Sequence, residues 1–418
     1  MNSIEELFLQ ALRASLKNES VNWEKPLSET DWSELYRLSE MHSVIPLVYD
    51  AVYNCSAAQE AENGLIELFK IRSIKSVSAQ AVKTDWFMRL YRNLREAELS
   101  PVVVKGIVCR SLFPNPDYRI SSDEDIIVPQ EQFSRCCEAI TEFGMNISKP
   151  GQDVNSADEV TFVSHDSPLR IELHRQLFPP QSEAYGEFNR FFADSFENPI
   201  ELPVQGMTVS TMNHTDNLFY LICHSFKHFL HSGFGIRQVC DITLYANAYG
   251  RYADWHCILE NCREIKADLF AAAVFKIGGK YLTFDSRAAC YGDEWSSIEV
   301  DELPLLEDLL SGGIYGGSSL NRKHSSGITL NAVADEKKGK KSGKGIAGSL
   351  FPPLKDMQTR YEYLRSAPFL LPAAWLSRMV RYGREISGNE NNSASQAMKI
   401  GRDRVELFKK YGIIGRDL

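Results

Sequence analysis

The sequence has no long apolar run, no excess of positive charge and no cysteine framework, and each absence narrows what the chain can be. No apolar stretch reaches the roughly 18–20 residues that span a bilayer. The longest candidate, 367–376, is broken by Pro368 and Pro372. Residues 1–16 set Glu5 and Glu6 into an amphipathic helical pattern without a basic leader, which predicts no signal peptide and no membrane partner. Lys and Arg number 46 against 55 Asp and Glu, a formal charge of −9. Affinity for nucleic acid rests on cations that neutralise phosphates, so a generic polyanion binder is excluded. The deficit is uneven, since residues 351–418 carry 12 Lys and Arg against 7 Asp and Glu. The nine cysteines lack paired CxxC spacing; Cys136 and Cys137 are adjacent, and Cys257 and Cys262 are five apart. That pattern predicts reduced thiols serving as small core residues in a cytoplasmic protein.

With 44% apolar and 24% charged residues, the chain has the composition of a soluble globular protein. Its 418 residues predict two or three packed units. Residues 1–95 read as helical, with Ile4, Leu7, Phe8, Leu12 and Leu16 at three- and four-residue steps. Residues 96–200 change character. A β-branched run ends at Lys105-Gly106, a short helix follows, and Asp125 to Val128 reads as a strand stopped by Pro129. Residues 130–143 read as a helix ending at Gly144, and 160–164 and 169–174 as an antiparallel pair. This predicts a small α/β core with a mixed sheet (α+β in sequence order), flanked by N- and C-terminal helical regions. The helical period returns from Thr215 to about Leu282, within a helical domain read as 201–320. The Lys-, Gly- and Ser-rich stretch 321–348 reads as an exposed flexible loop, and 349–418 as a final helical region.

The chemistry concentrates in the α/β segment. Asp123 and Asp125 are two apart on a strand, so they project to one side. An isolated Asp-x-Asp is commonly a solvent-facing acidic turn, but here the acids lead directly into Ile126-Ile127-Val128. Two carboxylates on one buried face repel each other unless a cation bridges them. In Leu169-Arg170-Ile171-Glu172-Leu173-His174 the alternation sends Glu172 and His174 away from the core. If that strand lies beside the first, Glu172 becomes a third carboxylate. His174 would then orient Glu172, touch substrate, or be only a polar strand-end residue. Lys105-Gly106, at a strand-to-helix junction, and Arg119 are candidate phosphate contacts, although a Lys-Gly alone is usually an ordinary turn.

Together these features resemble the nucleotidyltransferase superfamily, with its DNA polymerase beta-like core, and more closely an uncharacterised bacterial nucleotidyltransferase family. The family pattern appears as Val104-Lys105-Gly106, Arg119 with Asp123-Glu124-Asp125, and Glu172-Leu173-His174. Flanking likenesses are His42 to Leu47, Tyr315-Gly316-Gly317, and Leu350-Phe351-Pro352-Pro353 with Arg360-Tyr361. The resemblance implies transfer of a nucleoside monophosphate from an NTP, with Mg²⁺ or Mn²⁺ held by Asp123, Asp125 and Glu172. It implies nucleotide contacts from Lys105, Gly106, Arg119, Ser122 and His174. Two departures stand out: the usual Gly-Ser pair is Lys105-Gly106, and the gap to Asp123 is long, with 114–118 inserted.

Charge favours a small hydroxyl or amine acceptor, with a protein side chain or a tRNA end as other candidates. A non-catalytic nucleotide-binding or scaffolding protein on the same fold is the alternative. His224, His228 and His231 fall on one helical face, which suits either a metal site or a helix lining the cleft with Lys227, His228 or Arg237 near substrate. No HExxH pattern accompanies them. Asp241 reads as a helix–helix contact. Residues 339–345 mimic a phosphate loop but have the wrong spacing, and the surrounding lysines read as solvated.

Overall fold

Side-chain caps mark where the first helices begin. The computed structural model describes residues 1–61, 63–313, 320–339, 354–358, 361–364, 366–377 and 394–416. Asn2 and Glu5 close a reciprocal capping box at α1 (Ser3–Leu16), and Ser28 with Asp31 does the same at α2 (Glu29–Met41). Each box satisfies two amides that a helix start leaves open. α3 (Ile45–Val52) and the 34-residue α4 (Asn63–Glu96) complete the N-terminal helical layer.

The chain then builds a five-stranded sheet: β1 (Val102–Val104), β2 (Glu124–Ile127), β3 (Asn146–Ile147), β4 (Glu159–Val163) and β5 (Arg170–His174), in the order β1-β2-β5-β4-β3. The short α5 (Gly106–Arg110) follows β1, and α6 (Phe133–Glu142) follows β2. β2 and β5 run parallel, with Asp125 opposite Glu172 and Ile127 opposite His174; the other pairings are antiparallel. The expected mixed sheet is therefore present, and β5 does lie beside the Asp strand. Because side chains alternate across a strand, one face collects Asp125, Glu172 and His174. β4 adds Glu159, opposite His174, and Thr161, opposite Glu172.

Where a purely helical region was expected from residue 201, the chain first forms a hairpin, β6 (Ile200–Val204) and β7 (Met207–Thr211). Gln205 and Gly206 both take positive φ, the geometry of a two-residue turn matched to strand twist. Thr211 Oγ1 donates to the Val103 carbonyl at 2.6 Å and docks the hairpin on β1. Next come α7 (His214–His231), α8 (Ile236–Tyr249), α9 (Trp255–Glu264), α10 (Asp268–Tyr281) and α11 (Leu303–Gly312).

The expected loop at 321–348 requires correction. Its first part is a helix, α12 (Leu320–Lys337), packed against α13 (Ala394–Lys410). Ser325, Ser326, Gly327 and Asn331 are weak helix formers, so local propensity hid it. Burial of Ile328, Ala332 and Val333 outweighs that propensity, and Gly401 lets α13 cross close to Ile328. Within the expected solvated lysine cluster, Lys337 and Lys338 pair with Glu187 and Glu183. The phosphate-loop mimic beyond Gly339, Tyr315-Gly316-Gly317 and Leu350 to Pro353 with Arg360 lie outside the described residues.

One continuous apolar core runs from Phe8 to Ile414, with a small separate cluster of Met357, Leu364 and Ala374. All nine cysteines are free, and all but Cys257 and Cys290 are buried, as their apolar settings predicted. Among the described residues no helix is long and apolar enough to cross a membrane.

Candidate active site

The β2–β5 register places the acids. Asp125 is buried, with Lys105 Nζ 3.0 Å from Oδ2 and His174 Nε2 3.0 Å from Oδ1. Ligand atoms of Asp125, Glu172 and His174 all lie within 4.8 Å of one another. Burial alone would raise the Asp125 pKa, but Lys105 and His174 outweigh it and hold the carboxyl well below the usual range. Among the described residues, Glu172 has only the partly exposed Arg170 as a cationic partner, with Nε 3.7 Å away. Burial, then the charges of Asp125, Asp123 and Glu159, push it up to about 7. For His174, burial acts downward but the Asp125 carboxylate outweighs it, and its pKa rises. Asp123 stands outside this trio, partly exposed, at the rim of the adjoining cavities.

The Lys105-Gly106 turn borders the smaller cavity and is also tied into the protein's own acids. Lys105 has φ +48° and Gly106 φ +32°, a region glycine tolerates. A Cβ on Gly106 would collide with the Glu124 carboxylate. That carboxylate accepts the Ile107 N–H at 2.8 Å, so the first turn of the five-residue α5 is capped by the protein's own acid. Glu124 and Arg110 form a fully buried ion pair, joined by Ser121 Oγ 3.1 Å from Glu124. Lys105 itself reaches past the turn to Asp125 and lies 3.0 Å from His224 Nε2. Although burial acts downward, Asp125 keeps the Lys105 pKa raised.

Residues 119–123 form a suspended loop. Lys83 on α4 donates to the Ser121 and Ser122 carbonyls, Gln80 Oε1 accepts the Ser121 N–H at 2.9 Å, and Arg237 on α8 donates to the Ile120 carbonyl. Arg119 is 3% exposed and forks onto Asp241 at 2.6 and 2.7 Å. This corrects the reading of Asp241 as a helix–helix contact: it is the carboxylate that holds Arg119. The remaining Arg119 nitrogen, Nη1, is buried without a hydrogen-bond partner, and Arg119 lines a cavity.

Two cavities, of about 270 and 310 Å³, share Lys105, Asp123, His224 and His228 as walls. The larger is acidic, adding Asp125, Asp158, Glu159, Glu172 and Lys227. The smaller adds Arg119, Arg237 and Asp241, with Gly106 and Ser122 at its edge. The residues expected near substrate, Lys227 and His228 on α7 and Arg237 on α8, all reach these walls. His224 and His228 approach Nε2 to Nε2 at 3.1 Å. Burial, then Lys105 for His224 and Lys227 for His228, holds both imidazoles well below their ordinary pKa. His231 lines neither cavity, and its carbonyl accepts from Thr329 and Arg404. Glu159 was not singled out from the sequence, though pairing the 160–164 and 169–174 strands would have placed it opposite His174. Gln80 and Lys83, on a long polar-faced helix, carried no local signal.

A family model described as "Uncharacterised nucleotidyltransferase" matches residues 28–282. No curated protein matches this chain. Among solved structures, one described as "Crystal structure of JHP933 from Helicobacter pylori" is 14% identical over 55% of this chain and 88% of that one. Its TM-score is 0.29, and the likeness carries no argument.

Proposed function

The chain belongs to the uncharacterised nucleotidyltransferase family, and on that premise we propose that it moves a nucleoside monophosphate from an NTP to a small hydroxyl or amine acceptor, releasing pyrophosphate. The observation that carries this reading is the trio Asp125, Glu172 and His174, assembled on adjacent strands beside Lys105. The Asp125 and Glu172 carboxylates supply oxygen donors that suit Mg²⁺ or Mn²⁺, with the His174 imidazole as a softer third donor. Burial and then the charges of Asp125, Asp123 and Glu159 push Glu172 upward, and a divalent cation would offset that negative charge. Asp125, Glu172 and His174 would hold the ion, with Asp123 at the rim. When bound, such an ion supplies Lewis-acid stabilisation of charge on phosphate oxygens.

The chain's own groups supply the rest. Lys105 offsets negative charge at the junction of the two cavities. Glu172, which burial and the neighbouring acids push toward the protonated form, takes the proton from the attacking acceptor. The acceptor atom bonds to the α-phosphorus as the bond to the bridging oxygen breaks, and that oxygen leaves with the electron pair on pyrophosphate. Asp158 and Glu159 on the acidic walls favour a neutral or cationic acceptor over a polyanion.

The test is incubation with each α-phosphorus-labelled NTP, Mg²⁺ or Mn²⁺, and a cell extract. Wild type should transfer label while the Asp123→Ala/Asp125→Ala protein does not, and the labelled species identifies a small molecule, a protein or a tRNA as acceptor. Equal transfer by both proteins would overturn the site assignment.

A further inference from the structure

At the helix start beside Lys105-Gly106 the Ile107 N–H already donates to Glu124, and a side chain at Gly106 would meet the same carboxylate, although Gly106 itself borders the smaller cavity. The phosphates beyond the reacting centre need a counter-charge. The smaller cavity offers one. Lys105, Arg119 and Arg237 border it against two acids, Asp123 and Asp241. The larger cavity has two lysines, Lys105 and Lys227, against five acids.

Two guanidiniums on its walls keep unused donors. Arg119 is almost fully buried, and with two nitrogens on Asp241 its Nη1 lacks a hydrogen-bond partner. Arg237 gives one nitrogen to the Ile120 carbonyl, and its buried Nε lacks a partner as well. A buried unsatisfied guanidinium nitrogen is expensive to keep, which is a reason to look for an anion that completes it. Burial, then the Arg119 charge, lowers the Arg237 pKa to about 10, leaving it cationic at neutral pH. At about 270 Å³ the chamber lies below the roughly 300–1,000 Å³ of pockets that enclose a whole drug-sized ligand. It therefore suits one end of a nucleotide.

We propose that the chamber walled by Arg119 and Arg237 receives the β- and γ-phosphates of the NTP and holds pyrophosphate after transfer. This rests on the nucleotidyl-transfer reading, with the α-phosphorus at Asp123, where the two cavities meet. Arg237 becomes a leaving-group residue, and its fork selects triphosphates over diphosphates, because an NDP leaves one phosphate position unfilled.

The experiment is calorimetric titration of the full-length protein with inorganic pyrophosphate, with orthophosphate as a second arm. Wild type should bind pyrophosphate more tightly than orthophosphate. Arg237→Gln should weaken pyrophosphate by at least about tenfold, and Arg237→Lys should lie between. Unchanged affinity in a folded Arg237→Gln protein, or no pyrophosphate binding by wild type, overturns the assignment. A measurement without variants backs it: pyrophosphate should protect Arg237 from phenylglyoxal in peptide mapping, and equal labelling with and without pyrophosphate would count against it. Binding requires no turnover, so the two readings fail separately. Pyrophosphate held on Arg237 without label transfer overturns the reaction and leaves an anion site. Label transfer with pyrophosphate indifferent to Arg237 overturns the subsite alone.

Discussion

The two walls of the site are built by different means. On the strand wall, Asp125, Glu172, His174 and Glu159 share one face because the backbone alternates and the register is fixed by the ladder. On the helix wall, position depends on partners distant in sequence: Arg119 and Asp241 are 122 residues apart, Lys105 and His224 are 119, and Arg237 and Ile120 are 117. The strand wall gathers like charges, which is destabilising unless a cation joins them. The helix wall gathers guanidiniums, each tethered by part of its donors and free with the rest. The comparison teaches that strain from like charge lies on one wall and positional support on the other.

Glu172→Gln tests the strand wall and carries the largest expected effect. Nucleotidyl transfer should fall by about 10³-fold or more, while the thermal midpoint of the metal-free protein should rise, because one of the mutually repelling carboxylates is gone. Added Mg²⁺ should raise the midpoint of wild type and leave that of the variant nearly unchanged. A variant both inactive and destabilised would break the contrast between the walls, since Glu172 would then be a supporting residue.

The frame behind the walls comes next. Arg110 and Glu124 are fully buried and pair with each other, with Thr84, Ser121 and the Ile107 amide joining the network and only Arg110 Nε left without a partner. Arg110→Met strands a buried carboxylate and should lower unfolding stability by about 3–5 kcal/mol. Adding Glu124→Leu removes the stranded charge and should recover a substantial part. Urea denaturation of the single and double variants decides this; a double variant no more stable than the single would show that the pair is not the unit that matters.

Legibility from sequence follows the same division. Asp123-x-Asp125 and the alternation through Glu172 and His174 are visible because strand period is a local property. The neighbouring acid, Glu124, sits between the two aspartates, faces the opposite side, and was passed over. Only the fold shows that its carboxylate accepts the Ile107 N–H at the start of α5. Arg119 was legible as a functional cation, but not that Asp241 would take two of its nitrogens. The helix α12 was illegible because weak helix formers fill it, and only the tertiary burial of Ile328, Ala332 and Val333 holds it in place. His42 was visible as one flanking family likeness, and the structure supplies its physical role.

That role gives the smallest effect, on the support of the helix wall. His42 is fully buried, its ring lies 5.5 Å from that of Phe8, and Nδ1 accepts the N–H of Ile236, the first residue of the helix that carries Arg237 and Asp241. Burial lowers its pKa to about 4; the Leu310 carbonyl acts the other way, and Arg37 adds to the lowering. In the unfolded chain the same imidazole titrates near its ordinary value of 6.5. Between pH 6.5 and about 4 the unfolded chain therefore binds more protons than the folded one, and stability falls as pH drops through that window. Above it the neutral ring contributes fully, and below about 4 the loss levels off. Over the whole window the loss amounts to about 3 kcal/mol. In His42→Gln a side-chain oxygen can still accept the Ile236 amide, but nothing titrates. Urea midpoints measured from pH 7.5 down to 4.5 should therefore fall less steeply for the variant, with other acid-sensitive groups cancelling in the difference. Parallel curves would mean that His42 is not buried neutral against α8, and that the helix wall is held by Arg119 and Arg237 without it.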